Sequence, residues 1–157
     1  MSQLVKHSRP TPGRSTDEEQ ANRGLSVMKS ALHGLGCFAT VHFFKASPIA
    51  EYAGERITHA EAIDRMTGAN GKHICQLDLD NYIDGNIGGN ETRYLNHSCE
   101  PNADVSISDG FMIVFALREI FPGEEVTVDY LNSFDQDQSL CRCGTATCRK
   151  MEVKEPH

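Results

Sequence analysis

The apolar residues of this chain come in short runs, each closed by glycine, proline or charge, and that pattern restricts what it can fold into. The runs LSVMKS, CFATVHFF, PIAEYAG, HICQLDL, ADVSIS, FMIVFAL and EVTVDY are strand-length and too short for core helices. Asp109-Gly110 sits between two of them, where a tight hairpin turn is expected. One helix stands out: Thr58 and Glu61 form a T-x-x-E capping box ahead of AIDRM, and Gly68 stops it. The expectation is a mostly β protein of several small sheets with one or two short helices.

With 157 residues, of which 39% are hydrophobic and 24% charged, the chain fits one domain with a real core. Residues 1–24, rich in Pro, Ser and charge, read as a flexible arm, and the core is expected to begin at Leu25. No apolar run suits a membrane span, and the N-terminus lacks the apolar stretch of a signal peptide. A soluble, intracellular protein is expected. The formal charge of −7 belongs to the middle of the chain: residues 1–24 carry four Lys/Arg against three Asp/Glu, and residues 131–157 carry four against four. Such an acidic body disfavours nucleic acid and attracts Lys/Arg-rich peptides.

Six cysteines without an export signal point to metal before disulfides. Cys141, Cys143 and Cys148 form C-x-C-x4-C, spacing that places three thiolates around one tetrahedral ion, with Gly144 free to turn. A structural site needs a fourth ligand, and Cys99 is the obvious donor. Three unliganded thiols so close together would be prone to oxidation. Cys37 and Cys75 lie within apolar runs and read as small core residues. Gly34 and Gly36 form a G-x-G between two strand-like runs, a poor match to a dinucleotide loop, which opens a helix.

Taken in order, GLGCFA, EYAGERIT, RYLNHSCEPNA, PGEEVTVDY and CRCGTATCRK resemble the successive motifs of the SET-domain family of protein lysine methyltransferases. The resemblance runs from about residue 25 to 151 and implies a SET domain over 25–130 followed by a post-SET zinc segment over 131–157. It implies small sheets around a knot-like crossing, where the Asn96–Cys99 segment meets the segment ending at Tyr130. It also implies binding of S-adenosylmethionine by Gly34, Leu35, Gly36, Tyr94, Asn96 and His97, with Met151 over the adenine where the family often has a larger apolar or aromatic residue. Tyr130 becomes the first catalytic residue, Tyr52 and Val128 line the lysine channel with it, and Cys99, Cys141, Cys143 and Cys148 hold one structural zinc. Pro101 and Asn102 shape the exit from the crossing. Arg93 reads as an ion-pair partner, Asp129 as structural, and Glu124 and Glu125 as turn acids.

The reaction implied is SN2 methyl transfer to a neutral lysine amine on a basic protein such as a histone tail. A nuclear setting follows in a eukaryote, and a cytoplasmic or exported one in a bacterium. The alternative is a catalytically silent SET-like module that binds basic peptides; it is disfavoured because Asn96, His97 and Tyr130 are all present. A zinc-ribbon nucleic-acid binder conflicts with the acidic balance.

Overall fold

The computed structural model describes residues 24–68, 71–130, 141 and 143–148. Ten strands in this part form three small sheets. The first, in the order β1-β2-β10-β7, is built from β1 (Leu25–Lys29), β2 (Leu35–Ala39), β10 (Glu125–Val128) and β7 (Asn96–His97). The second places β9 (Phe111–Ala116) between β3 (Pro48–Glu51) and β8 (Ala103–Ser108), and the third places β6 (Asn81–Asp84) between β4 (Glu55–Thr58) and β5 (Ile74–Gln76).

The turn chemistry read from the sequence sets the second sheet. Asp109 and Gly110 take φ of 51° and 77°, so both central residues adopt the left-handed conformation that a two-residue hairpin of native twist requires. Ser108 then faces Phe111 and the register runs through to Ala103 opposite Ala116. Along β9, Met112, Val114 and Ala116 are buried, the alternation of a strand with one face on a core.

The helix α1 (His59–Thr67) begins on the expected capping box, with Thr58 and Glu61 exchanging side-chain and backbone bonds, and ends at Gly68. Its Ala62 is buried with Ile57, Ile74 and Tyr82 against the third sheet. Arg65 adds polar ties, at 2.7 Å to Asp84 and 2.6 Å to Glu55. A second, 3-10 helix, Glu91–Tyr94, opens on Asn90.

The main core joins the first two sheets, with Leu25, Cys37, Val114, Ile120 and Val126 at its centre. Here β10 changes partner along its length. Glu125 and Val126 pair antiparallel with Phe38 and Cys37, while Thr127 and Val128 pair in parallel with Asn96 and His97. Parallel pairing of segments about thirty residues apart in sequence needs a long connection, here supplied by the whole β8–β9 hairpin. Buried Asn102 clamps the junction: its Nδ2 donates to Glu125 O at 2.8 Å, its Oδ1 accepts from Thr127 N at 2.9 Å, and its own carbonyl accepts from Leu117 N. The buried side chain is thereby bonded through both its nitrogen and its oxygen to β10.

Candidate active site

The junction of β7 and β10 brings together the loop ahead of β2, Tyr130 and the cysteines. Asn96 reaches the loop ahead of β2, where its Nδ2 lies 3.2 Å from His33 O, 3.0 Å from Leu35 O and 2.7 Å from Glu125 Oε1. Glu125 Oε2 in turn accepts from Ser30 Oγ at 2.8 Å, and Ser30 Oγ accepts from Leu32 N at 2.9 Å. This chain of bonds folds the loop over the carboxylate so closely that a Cβ on Gly36 would stand 2.2 Å from Glu125 Oε1. Gly34, by contrast, has open space around it and a φ of 47°. Leu35 between them is half exposed, an apolar shelf beside β7.

β7 is the last strand of its sheet. Ser98 donates its N–H to Val128 O at 3.0 Å, so by strand alternation the N–H and C=O of His97 point away from β10. They face outward along the edge. The imidazole accepts from Tyr130 N at Nδ1, 3.1 Å, while Nε2 lies 3.4 Å from Cys99 Sγ and Asp129 Oδ1 stands 3.6 Å from Nδ1.

Two phenols share the neighbouring space. Tyr130 donates its hydroxyl to the carbonyl of Leu95, and buried Tyr52 donates to His73 O at 2.9 Å. Burial first, then the Cys75 thiol and the Tyr130 and Asp84 groups nearby, push Tyr52 well above the ordinary phenol range. It stays neutral. Val128 is buried beside Leu95 in the core on which Tyr130 packs. Tyr94 turns to other neighbours: Arg93 Nη2 donates to its hydroxyl at 2.6 Å, the guanidinium lies 4.7 Å over its ring, and His73 meets it edge-on.

Immediately after β7, Cys99 meets Cys141, Cys143 and Cys148, the four sulfurs all lying within 4.8 Å of one another. Cys99 and Cys141 are 3.6 Å apart, close to the edge of about 3.8 Å that tetrahedral Zn–S bonds of about 2.3 Å would give. The donor set and its spacing fit one zinc ion. Gly144 takes a φ of 72° in the turn between the last ligands, and Thr147 Oγ1 donates to Glu100 Oε1 at 2.5 Å. Burial works to raise the Cys143 thiol, but bonds from Thr145, the Cys99 backbone and Cys141 outweigh it and hold it at about 5. Cys141 is pushed up to about 12, by burial and by the Cys143, Cys99 and Cys148 thiols, with the Cys143 backbone opposing. Four thiolates cannot coexist here without a cation to share.

The model of the SET domain matches residues 34–131. The chain belongs to the SET-domain family. Histone-lysine N-methyltransferase trithorax of Drosophila virilis is 35% identical to it over 134 residues, covering 80% of this chain and 4% of that protein. The histone-lysine N-methyltransferase trr of Drosophila melanogaster is 34% identical over 156 residues, covering 92% of this chain and 6% of its own length. An H3 lysine-4 specific histone-lysine N-methyltransferase of Schizosaccharomyces pombe is 34% identical over 129 residues, covering 76% and 14%. This chain thus spans a small part of the length of these relatives.

Gly34, Leu35, Gly36, Asn96, His97, Cys99 and Tyr130 of the SET domain gather around β7, and Cys141, Cys143 and Cys148, beyond residue 131, join them there. Met151 lies outside the described residues, as do residues 1–23. Two sequence expectations are corrected. Glu125 is no turn acid but the carboxylate that holds Ser30 and Asn96, while Glu124 does cap its turn, accepting from Phe121 N and Arg118. The described partners of Arg93 are Gly85 O and Tyr94 rather than a carboxylate. Sequence reading missed Glu125 and Ser30 because a glutamate in a G-E-E turn and a serine after a strand carry no spacing signal.

Proposed function

We propose that this SET domain transfers methyl groups from S-adenosylmethionine to a lysine of a basic protein, with a histone tail the substrate suggested by the names of its relatives. The observation that carries this reading is the pair of phenols. Tyr130 and Tyr52 both spend their protons on backbone carbonyls, so each oxygen has lone pairs left to offer an amine or a polarised methyl. When bound, S-adenosylmethionine supplies a sulfonium-activated methyl.

The protein's own groups do the rest. A free lysine titrates near 10.4, and a channel walled by Tyr52, Tyr130 and Val128 strips water from the amine and favours its neutral form. No residue need act as a strong base once the amine is neutral. Orientation by the tyrosine oxygens then supplies much of the rate. The outward N–H and C=O of His97 suit the edge of an adenine, and Leu35 with the open space at Gly34 suits its apolar surface; Asn96 and Glu125 hold that loop in place. Tyr94 and Met151 complete the pocket in this reading, and the four cysteines pin residues 131–157 with one zinc. The acidic body draws the basic segment in, and a histone substrate would place the protein at chromatin.

Tyr130→Phe tests the reading. It removes one hydroxyl two residues past the end of β10, so the variant should fold and bind S-adenosylmethionine normally while methyl transfer to histone tails falls by about a hundredfold or more. Wild-type turnover in that variant would overturn the catalytic assignment. A wild-type protein that binds basic peptides with no turnover would establish the silent binding module instead.

A further inference from the structure

The imidazole of His97 touches two things at once: the backbone at Tyr130 and the sulfur of Cys99. β10 ends at Val128, so the N–H of Tyr130 lies beyond the ladder, and His97 Nδ1 receives it at 3.1 Å. A peptide N–H can only donate, so Nδ1 presents its lone pair and the proton of the neutral ring sits on Nε2. Nε2 lies 3.4 Å from Cys99 Sγ. Asp129 Oδ1, at 3.6 Å from Nδ1, is beyond hydrogen-bond reach.

We propose that His97 is a positioning residue that couples the cysteine cluster to the catalytic tyrosine, fixing Tyr130 through Nδ1 and donating Nε2–H to the Cys99 sulfur. The Tyr130 half rests on the methyltransferase reading above; the Cys99 half stands apart from it. A thiolate shared with a cation is a good acceptor for this N–H, and a hydrogen bond to a metal ligand orients it and strengthens binding. In the other direction, a sulfur held in place by the ion fixes the ring plane. The ring then holds the backbone from which the Tyr130 hydroxyl reaches Leu95 O. Occupancy of the metal cluster and placement of the tyrosine are in this way linked through one side chain.

Two substitutions separate the halves, because asparagine places a polar atom near Nδ1 and glutamine near Nε2. In the full zinc-loaded chain, His97→Asn keeps an acceptor for Tyr130 N–H and loses the donor to Cys99. Its zinc should pass to a competing chelator about tenfold more readily, with hydrogen-exchange protection of the Tyr130 amide retained. His97→Gln keeps the donor and loses the acceptor, so zinc should be held while Tyr130 amide protection drops and kcat falls about tenfold. Zinc retention and amide protection falling together in both variants, or neither changing in either, would overturn the proposal. A third measurement needs no variant: 15N spectra of the wild-type imidazole should report a proton on Nε2 and a bare Nδ1, and the opposite tautomer would refute it. Zinc retention, exchange and tautomer are all read without substrate, so an inactive protein would sink the methyltransferase reading and leave this one decided on its own data.

Discussion

Replacing Gly36 by alanine is the sharpest test of how the loop ahead of β2 is held. The added Cβ would stand 2.2 Å from Glu125 Oε1, 2.8 Å from its Cδ and 3.0 Å from Ser30 Cβ. The carboxylate must therefore move, and in moving it releases the bond from Ser30 at 2.8 Å and that from Asn96 at 2.7 Å. Hydrogen bonds to a charged group contribute about 1.5–3 kcal/mol each; for a half-buried carboxylate the lower part of that range applies, giving about 3–4 kcal/mol for the pair. In a domain of this size each kcal/mol moves Tm by about 2–4 °C, so a fall of about 6–16 °C is expected. Asn96 also grips the carbonyls of His33 and Leu35, so affinity for S-adenosylmethionine should fall about tenfold, measured by calorimetry. Gly34→Ala is the control. It meets nothing within 4 Å but carries a φ of 47°, and strain there costs about 1–2 kcal/mol. If the clash is with Glu125, adding Glu125→Ala should shrink the effect of Gly36→Ala to below about 1 kcal/mol, since the obstructing oxygen is gone. Equal costs for Gly36→Ala in both backgrounds, or a cost no greater than that of Gly34→Ala, would refute the reasoning.

Metal analysis should find about one zinc per chain, lost in Cys143→Ser together with most activity. Val128→Tyr should shift product at long reaction times from di- or trimethyl-lysine toward monomethyl-lysine in mass spectra, because valine offers no hydroxyl to restrain the amine and leaves it room to turn; a wild-type product that stops at monomethyl would contradict this. Burial works to raise the Asp84 carboxyl, but bonds from Arg65 and from Asn86 outweigh it and hold it below the usual carboxylate range. Its contribution is therefore complete above an unfolded value of about 3.9 and lost as pH falls through the lower folded value. Asp84→Asn should lower Tm at neutral pH and flatten the loss of Tm below about pH 4, and an unchanged acid slope would refute the assignment.

The elements that the sequence determined by itself are those set by local chemistry. Asp109-Gly110 requires a left-handed pair and made the β8–β9 hairpin, the T-x-x-E box and Gly68 bounded α1, and the C-x-C-x4-C spacing marked three sulfurs that meet in space. Each depends on residues within ten positions of one another, where spacing alone fixes geometry. The family motifs carried the site further, since they name residues whose neighbours are far away in the chain. Tertiary structure alone decided how β10 divides its pairing between β2 and β7, because two residues of β7 carry no period from which a strand could be read. It likewise turned Glu125 from a turn acid into the anchor of Asn96, 29 positions away, and set His97 between Tyr130 N and Cys99 Sγ. A side chain's partner across the fold depends on where two distant backbones cross, and burial of the shared core around Val114, Ile120 and Val126, rather than any local preference, determines that crossing.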